Sequence, residues 1–369
     1  MKQIYIYPDD KDNAFLLMQK EAIENAGLCT HHNFYAFYKT EYFLFNWYEN
    51  VKTIKLYILH IFKKKILWVV HNKKPHLNIS KTKKEDKLSF DLMKKLFLFS
   101  YKTIILCDET KNILKELLEK SYTEKKIVKI PHPNYIDFYK ISNPIERESN
   151  GLKFLFIGLI KKYKNIDLLI DCFNKINDND VFLTIAGKCT DENFKNELKH
   201  RIKNKNITLD FRYIPNEQMQ SLIQSNDILI LPYSLESSLN SGVIFLSFSL
   251  GRTVCSSYIG SLKEYGTQRD FFYKYTYLSN EEHKQTLSTT IKKIITDWKI
   301  DKDIFNKKGR EAFEIVKDEN SLPLITRIFC NEILNTTPPH YILAKKTVLK
   351  KHINFIKNKY YSGEKNERA

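Results

Sequence analysis

Residues 154–167 read FLFIGLIKKYKNID and contain the first half of the pattern that decides the fold. An apolar run ends at Gly158, a short basic loop follows, and a helix is predicted to start near Asn165. Glycine lets the chain turn tightly after a strand. Lys161 and Lys164 then stand beside a helix N-terminus, where cations, amide donors and the helix dipole together favour a phosphate group. A surface loop with solvated lysines would have the same letters, so this segment alone leaves its role open.

Residues 232–251 read PYSLESSLNSGVIFLSFSLG and contain the second half of the pattern. An apolar run ends at Leu231, a polar loop follows, and serine or asparagine is well placed to cap a helix that begins at about residue 240 or 241. The amides of residues 241–243 are expected to point toward a ligand, although an ordinary helix cap would look the same. The predicted binding residues of this segment are Ser238, Asn240, Ser241, Gly242 and Val243.

Short apolar strands alternate with helices on both sides of a polar stretch at residues 142–150. In the first half, strands are predicted at 2–7, 66–70, 103–107 and 127–130, and helices at 13–26 and 109–120. In the second half, strands are predicted at 153–157, 181–186, 207–213, 227–231 and 253–256, with helices between them. This alternation is typical of parallel sheets covered on both faces. The predicted fold class is α/β, with two Rossmann-like domains facing each other across a cleft, where the carboxyl ends of the strands bind ligands.

The order of motifs in the second half resembles the donor domain of glycosyltransferase family four, which has the GT-B architecture. The motifs are GLIKKYKNID (158–167), TIAGK (184–188), YIPNEQM (213–219), SNDILILPY (225–233), ESSLNSGV (236–243), GRTV (251–254) and GSLKE (260–264). The first half resembles more faintly the acceptor domain of exopolysaccharide and lipid-linked glycan enzymes. Its motifs are NWYE (46–49), VVHNKKPH (69–76) and IPHPNY (130–135).

The resemblance implies a role for particular residues of the donor site. Lys164 matches the family lysine that contacts the donor diphosphate, and Lys161 is placed to act as a second cation because Leu159 stands where the family has an arginine. Glu217 and the backbone near Ile214 match the positions that hold the nucleotide base.

The resemblance also implies residues near the transferred sugar and the acceptor. His71 matches the family's histidine in the cleft, and with Glu236, Lys161 and Lys164 it makes up the predicted catalytic set. The predicted acceptor-binding residues are Asn46, Trp47, Glu49, Asn72, His76 and His132, with Trp47 stacking on a sugar face unless it is part of the core.

The sequence departs from the family at the second of two carboxylates. Many members carry two glutamates eight positions apart; here Glu236 is present, but Ile244 stands eight positions later. The missing carboxylate normally binds ribose, so its loss alters how the donor is held and leaves the role of Glu236 open.

The resemblance implies a two-domain enzyme with a small C-terminal addition. The predicted bounds are 1–145 for the acceptor domain, 151–305 for the nucleotide-sugar domain, 306–335 for helices that partly return to the first domain, and 336–369 for a basic tail. The implied function is transfer of a sugar from a nucleotide-sugar to a glycan or lipid-linked acceptor in surface polysaccharide biosynthesis, with retention of configuration. A non-catalytic sugar-nucleotide or glycan-binding protein on the same fold is the alternative. No cofactor and no metal are expected, and no D-x-D motif follows a strand.

The net charge of +17 is concentrated in two segments. Residues 51–84 contain ten lysines and no acid, and residues 340–369 contain seven lysines, one arginine and two glutamates. In the first of these, apolar side chains recur at helical spacing, as in helices that lie on anionic membranes; they are Val51, Ile54, Ile58 and Ile61, with Tyr57 and Phe62 beside them. A solvated basic surface, or burial of the isoleucine stripe in the core, is the alternative. The motif order argues against a nucleic-acid partner.

The remaining features indicate a cytoplasmic protein. The six cysteines are singly spaced, without the pairs that zinc sites use, and indicate reduced thiols. No apolar signal core or run of about 18 uncharged apolar residues occurs. The predicted location is therefore the cytoplasm, with peripheral attachment to the inner face of the cytoplasmic membrane left open.

Overall fold

The structure is a computed structural model that describes residues 2–47, 51–72, 83–148 and 150–339, without the side chains of residues 83–89. Two parallel six-stranded sheets are formed by the described residues, one in each half. Their strand orders are β2-β1-β3-β4-β5-β6 and β12-β11-β10-β7-β8-β9. The predicted α/β class with two Rossmann-like sheets is confirmed.

The first sheet carries helices that cover both of its faces. Its strands are β1 (Gln3–Tyr7), β2 (Cys29–His31), β3 (Thr40–Phe45), β4 (Lys65–Val70), β5 (Ser100–Ile105) and β6 (Ile127–Lys129). Its helices are α1 (Ala14–Asn25), α2 (Thr53–Ile61), α3 (Lys83–Phe99) and α4 (Glu109–Leu118). Five consecutive residues of β4, 66–70, are buried, because a central parallel strand is covered from both sides.

The second sheet is built in the same way from the second half of the chain. Its strands are β7 (Leu152–Ile157), β8 (Val181–Ala186), β9 (Ile207–Asp210), β10 (Ile228–Leu231), β11 (Thr253–Ser257) and β12 (Tyr273–Tyr275). Its helices are α5 (Ile166–Phe173), α6 (Glu192–Arg201), α7 (Asn216–Gln224), α8 (Gly242–Ser249), α9 (Gly260–Lys263) and α10 (Asn280–Ile300).

Three strands and three helices were not predicted from the sequence: β2, β3, β12, α3, α9 and α10. The central strand β3 pairs with both β1 and β4, yet its apolar part spans only residues 42–45 and follows a charged residue. The edge strands β2 and β12 have three residues each. Runs this short carry too little periodicity to be recognised.

The last two described helices connect to different domains. Helix α11 (Ile304–Glu319) packs on α8, and α12 (Leu322–Phe329) packs on α1 of the first domain. Ile325 and Phe329 belong to the same apolar core as Ala22 and Ile23. The chain therefore returns to the first domain after completing the second sheet.

Within the described residues, no helix combines the length and the apolar character needed to cross a membrane. The predicted basic tail falls almost entirely on residues 340–369, which lie outside the described residues.

Candidate active site

A cleft of about 490 Å³ lies between the carboxyl ends of the two sheets. The first domain contributes the loop after β1 and the ends of β3 and β4, and the second domain contributes the loops after β7 and β10. The lining residues are Asp12, Asn13, Ala14, Phe15, Trp47, His71, Asn72, Tyr135, Tyr139, Gly158, Leu159, Tyr163, Lys164, Asn216, Met219, Tyr233, Ser238, Asn240, Ser241, Gly242, Val243 and Leu246.

Two glycines let the ends of β7 and β8 meet at the cleft, and one of them, Gly158, lines it. Gly158 follows β7 with φ +131° and Gly187 follows β8 with φ +141°, a region that side chains rarely adopt. A Cβ on Gly187 would overlap the carbonyl group of Gly158, and a Cβ on Gly158 would lie 3.2 Å from Lys164 Nζ. Because both positions lack a side chain, the ends of β7 and β8 can meet, and Lys164 Nζ can lie close to Gly158.

Lys164 is the most strongly perturbed cation of the cleft. Burial, with a smaller effect of the nearby Lys161 charge, lowers the pKa of Lys164 to about 8. Its Nζ lies 5.8 Å from the ring centre of Phe156 and 5.6 Å from that of Tyr233. Among the residues that the structure describes, no carboxylate lies within 4 Å of Lys164 Nζ. A half-buried ammonium group that has no carboxylate beside it attracts an anion strongly.

The loop that carries Lys164 is tied to the loop after β10. Asn165 adopts the left-handed conformation, with φ 54° and ψ 40°, and its Nδ2 donates to the carbonyl oxygen of Pro232 at 2.9 Å. This bond holds together the two segments that the sequence singled out. Lys161, predicted as the second cation, lies in the same loop but does not line the cleft.

Helix α8 begins at Gly242, with Ser241 as its N-cap, and its first turn faces the cleft. The Ser241 amide already donates to Ser261 Oγ at 3.1 Å, and Ser241 Oγ donates to Tyr233 Oη at 3.1 Å. The predicted use of three amides is therefore corrected to those of Gly242 and Val243, which have no acceptor in the described part of the chain.

The space around Gly242 leaves no room for a side chain, even without a ligand in the cleft. A Cβ at this position would lie 2.7 Å from Tyr135 Oη and 3.4 Å from His132 Nε2. The first turn of α8 thus approaches the first domain more closely than any residue with a side chain would allow.

The side predicted to hold the nucleotide base is built differently from the prediction. Ile214 is buried and Glu217 is exposed, and neither lines the cleft. Their neighbours Asn216 and Met219 line it instead. The Nδ2 of Asn216 donates to the carbonyl oxygen of Asp12 at 3.0 Å, which bridges the two domains.

Glu236 does not line the cleft, so its predicted catalytic placement is not supported by the geometry. It is exposed at the tip of the turn after β10, and its amide donates to Ser234 Oγ at 3.3 Å. The turn directs the following residues, Ser238 and Asn240, to the cleft.

The wall of the cleft from the first domain is made of stacked rings. The ring of His71 stacks on Trp47 at 4.8 Å with an interplanar angle of 17°, and Phe15 meets it edge-on at 5.1 Å. Asn240 Nδ2 donates to the carbonyl oxygen of His71 at 3.1 Å and forms a second bridge between the domains. His71, Trp47 and Asn72 line the cleft, as predicted for this wall.

Two predicted acceptor residues are structural instead. Asn46 is fully buried, and its Nδ2 donates to Gln19 Oε1 at 2.8 Å. His132 is buried with its ring stacked on Phe245 at 4.4 Å, and burial lowers its pKa to about 4. Because a carbonyl oxygen can only accept, the contact of His132 Nδ1 with the Pro133 oxygen at 2.8 Å places the ring proton on Nδ1. Neither side chain lines the cleft; Glu49 and His76 lie outside the described residues.

Several lining residues were missed by the sequence analysis. Asp12 to Phe15 follow β1, where the rule for parallel sheets places ligands, so their position after a strand was an available signal. The four tyrosines of the cleft carried no such signal, because they come together from three separate segments; they are Tyr135 and Tyr139, Tyr163, and Tyr233. Burial, with a smaller effect of the Glu217 charge, raises the pKa of Tyr139 to about 12, so its hydroxyl is a donor at neutral pH.

Within the described residues, no group of three or more His, Cys, Asp or Glu side chains is placed to hold a metal ion.

Comparison with known proteins gives a fold for the chain and a family similarity for part of it. Residues 137–311 match the family model described as glycosyl transferases group 1. No curated protein sequence matched the chain.

Three solved structures illustrate the likeness of the fold. Anabaena Alr3699/HepE in complex with UDP has a TM-score of 0.68 and 11% identity, covering 91% of this chain and 100% of that one. Sucrose-phosphate synthase from Thermosynechococcus elongatus has a TM-score of 0.63 and 13% identity, covering 86% and 78%. A glycosyltransferase from Rickettsia africae has a TM-score of 0.61 and 17% identity, covering 89% and 84%.

These matches confirm the resemblance drawn from the motif order between residues 158 and 264. The two parallel sheets and the cleft between their carboxyl ends agree with the same architecture. The chain therefore has the GT-B fold, and the match of residues 137–311, just under half of its length, to the glycosyl transferases group 1 model indicates glycosyltransferase activity.

Proposed function

We propose that the enzyme transfers a sugar from a nucleotide-sugar, with retention of configuration and without a metal, to a glycan or lipid-linked acceptor in surface polysaccharide biosynthesis. The observation that carries the proposal is the site of Lys164, a half-buried ammonium that lines the cleft beside the N-terminus of α8. The match to the glycosyl transferases group 1 model and the likeness to a protein solved with UDP support the use of a nucleotide-sugar; the acceptor, the stereochemistry and the roles of individual residues are inferences.

The donor diphosphate would lie between Lys164 and the first turn of α8. Negative charge grows on the leaving phosphate as the bond to the sugar breaks, and donors fixed in advance stabilise that charge most effectively where water is excluded. Lys164 and the amides of Gly242 and Val243 supply such donors. Hydrogen bonds to a charged group are roughly twice as strong as neutral ones, so this cluster would carry much of the donor's binding.

The transferred sugar and the acceptor would lie against the stacked rings of Trp47, His71 and Phe15, which we call the ring wall. Trp47 presents an aromatic surface beside the ring of His71, and both line the cleft. An aromatic ring suits the apolar face of a sugar, while imidazole and the neighbouring Asn72 suit its hydroxyls. This arrangement supports a sugar acceptor on the side of the first domain.

A membrane partner is supported by the surface of α2. The predicted alternative was burial of the stripe, and the structure divides it: Val51 is buried at 7% exposure and Ile58 is half-buried, whereas Ile54 and Ile61 are 62% and 71% exposed. Leu56 and Leu59 are the residues of α2 that face the core, at 0% exposure. Phe62 continues this surface at 51% exposure. Five lysines flank these side chains at the two ends of residues 51–65, at positions 52, 55, 63, 64 and 65, as in surfaces that attach reversibly to anionic lipid.

The donor proposal is tested by a thermal-shift screen of UDP-, GDP- and dTDP-sugars, followed by transfer assays with the nucleotide-sugar that stabilises the protein. We expect one nucleotide class to raise the melting temperature and to be turned over. Nuclear magnetic resonance of the product then reports whether the anomeric configuration is retained. Stabilisation by none of the three classes would refute the donor proposal, and an inverted product would refute retention alone.

The membrane proposal is tested by sedimentation with vesicles of phosphatidylglycerol at low and high salt. We expect co-sedimentation at low salt that is lost in an Ile54→Ser, Ile61→Ser double variant. Ile300→Ser is the matched control, because Ile300 is 81% exposed on α10 in the other domain. Equal sedimentation of the double variant and the wild type would place the contact elsewhere and overturn the proposal for α2.

A further inference from the structure

A second groove lies in the first domain beside the cleft, outside the proposed sites of the donor and of the transferred sugar. Its volume is about 340 Å³, within the range of small-molecule sites. It lies where β1 ends and α1 begins, and it extends toward the edge strand β2, whose following residue His32 forms part of its rim.

The groove and the cleft share one wall. In the loop after β1, Asp9 to Lys11 line the groove while Asp12 and Asn13 line the cleft. The first turn of α1 continues the division, since Phe15 lines the cleft and Leu17 lines the groove. A ligand longer than one sugar can therefore extend from the cleft over this wall into the groove.

The wall is braced by hydrogen bonds, so the groove is formed in advance. The amide of Asp12 donates to Asp10 Oδ1 at 3.1 Å, and the amide of Leu16 donates to Asn13 Oδ1 at 3.3 Å. His32 is fixed at the opposite rim, where Nδ1 donates to the carbonyl oxygen of Ile6 at 2.8 Å and Nε2 lies 3.4 Å from Asp9 Oδ1.

The chemistry of the groove indicates a neutral ligand with hydroxyl groups. Its exposed surface is mostly apolar, with Ile6 and the leucines of α1 beneath. Two aspartates and two lysines stand around it, so their charges balance and an anionic ligand gains little. Carboxylates accept and ammonium groups donate hydrogen bonds, and a sugar offers both partners on its hydroxyls together with an apolar face of C–H groups.

We propose that this groove binds neutral sugar units of the acceptor, next to the unit that receives the transferred sugar. The proposal rests on the proposed function and narrows it: the acceptor is an oligosaccharide of at least two units, in place of a single sugar or a bare lipid phosphate. The fit of the groove volume, the balanced charges and the shared wall supports this occupant over a phosphate group.

The test uses saturation-transfer nuclear magnetic resonance on the full chain. The probes are maltose, cellobiose, lactose and N,N′-diacetylchitobiose, with glycerol phosphate and inorganic phosphate in parallel. We expect at least one of these disaccharides to bind, and we expect Leu17→Trp, which fills the groove, to weaken its binding at least tenfold. Lys20→Ala should weaken binding several-fold, whereas Glu21→Ala, the neighbouring residue that does not line the groove, should leave it unchanged.

Melting temperatures establish that each variant is folded, and Lys20→Ala keeps the test decisive if Leu17→Trp does not fold. The proposal is overturned if none of the disaccharides binds, if both groove variants bind like the wild type, or if glycerol phosphate or phosphate displaces the sugar. Stabilisation by the nucleotide-sugar is measured on the same samples and should be unchanged in all three variants. Its absence in the wild type would refute the donor proposal, whatever the disaccharides do.

Discussion

The two walls of the cleft are built by different means. The wall from the second domain consists of a glycine turn, a lysine and the first amides of a helix, all provided by short segments of local sequence. The wall from the first domain consists of rings that stack on one another, with Trp47, His71 and Phe15 coming from three separate elements.

The difference suggests a division of labour that can be tested. Main-chain amides and a fixed cation recognise a diphosphate whatever the sugar attached to it, whereas a ring surface recognises the shape of an acceptor. We call the wall from the second domain, which contains Lys164, the lysine wall. If the division holds, variants of the lysine wall change donor affinity alone, and variants of the ring wall change acceptor affinity alone.

The largest effect is expected from Lys164→Ala. Loss of a charge-assisted phosphate contact is worth roughly 1.5–3 kcal/mol, which corresponds to about a 10- to 150-fold loss of nucleotide-sugar affinity. The measurement is the dissociation constant of the donor by calorimetry. Lys162→Ala is the matched control, because Lys162 is exposed in the same turn and does not line the cleft. An affinity in Lys164→Ala equal to that of the control would remove the lysine wall from donor binding.

The pH dependence sharpens the same assignment. Lys164 is charged below its pKa of about 8, so donor affinity should fall, by up to about tenfold per pH unit, above pH 8. Lys164→Ala should lack this dependence, and a wild-type affinity that stays constant between pH 7 and pH 9.5 would contradict it.

The unliganded protein should show the opposite trend. Between pH 8 and the ordinary lysine pKa of 10.5, the folded state binds fewer protons at this site than the unfolded state. The contribution of Lys164 to the free energy of unfolding therefore rises with pH across this window. Denaturant unfolding of the wild type and Lys164→Ala at each pH isolates the contribution, and a contribution that falls with pH would contradict the assignment.

A smaller effect is expected on the ring wall. Trp47→Ala removes a stacking surface worth roughly 0.5–1.5 kcal/mol, so KM for the acceptor should rise about 2- to 13-fold while donor affinity stays unchanged. Trp47→Phe keeps a ring and should restore most of the loss. A change of donor affinity in Trp47→Ala comparable to that in Lys164→Ala would break the proposed division between the walls.

The smallest effect is expected at Tyr277, which lies behind the lysine wall. Its hydroxyl accepts from the Leu235 amide at 2.9 Å and donates to the Tyr233 carbonyl at 3.3 Å, which holds the loop after β10. Tyr277→Phe loses both bonds, each worth about 0.5–1.5 kcal/mol to the loop. Because Tyr277 does not line the cleft, only part of this loss reaches the donor, so the KM of the donor should rise about twofold with little change in kcat. Tyr275→Phe is the control, because the Tyr275 hydroxyl contacts His283 instead. Identical kinetics in the two variants would remove Tyr277 from loop positioning.

The lysine wall was the more predictable of the two walls because its residues lie close together along the chain. Gly158 precedes Lys164 by six residues, and Ser241 immediately precedes its helix, so spacing along the chain sets their spacing in the structure. The ring wall depends on strand ends that are distant in sequence. The neighbours Asn46 and Trp47 illustrate the limit: one turns to Gln19 in the interior and the other to the cleft, and no pattern in NWYE separates them. The domain bounds at 145, 151, 305 and 335, like the roles of the site residues, stay predictions.

The two bridges across the cleft share a property that bears on how such enzymes diversify. Asn216 and Asn240 each donate from the second domain to a main-chain oxygen of the first, at Asp12 and His71. A main-chain oxygen is present whatever amino acid occupies the position. Mutations that exchange the side chains facing the acceptor therefore leave these two hydrogen bonds in place. Related enzymes can in this way change their acceptor during evolution while their two domains remain joined by the same bonds.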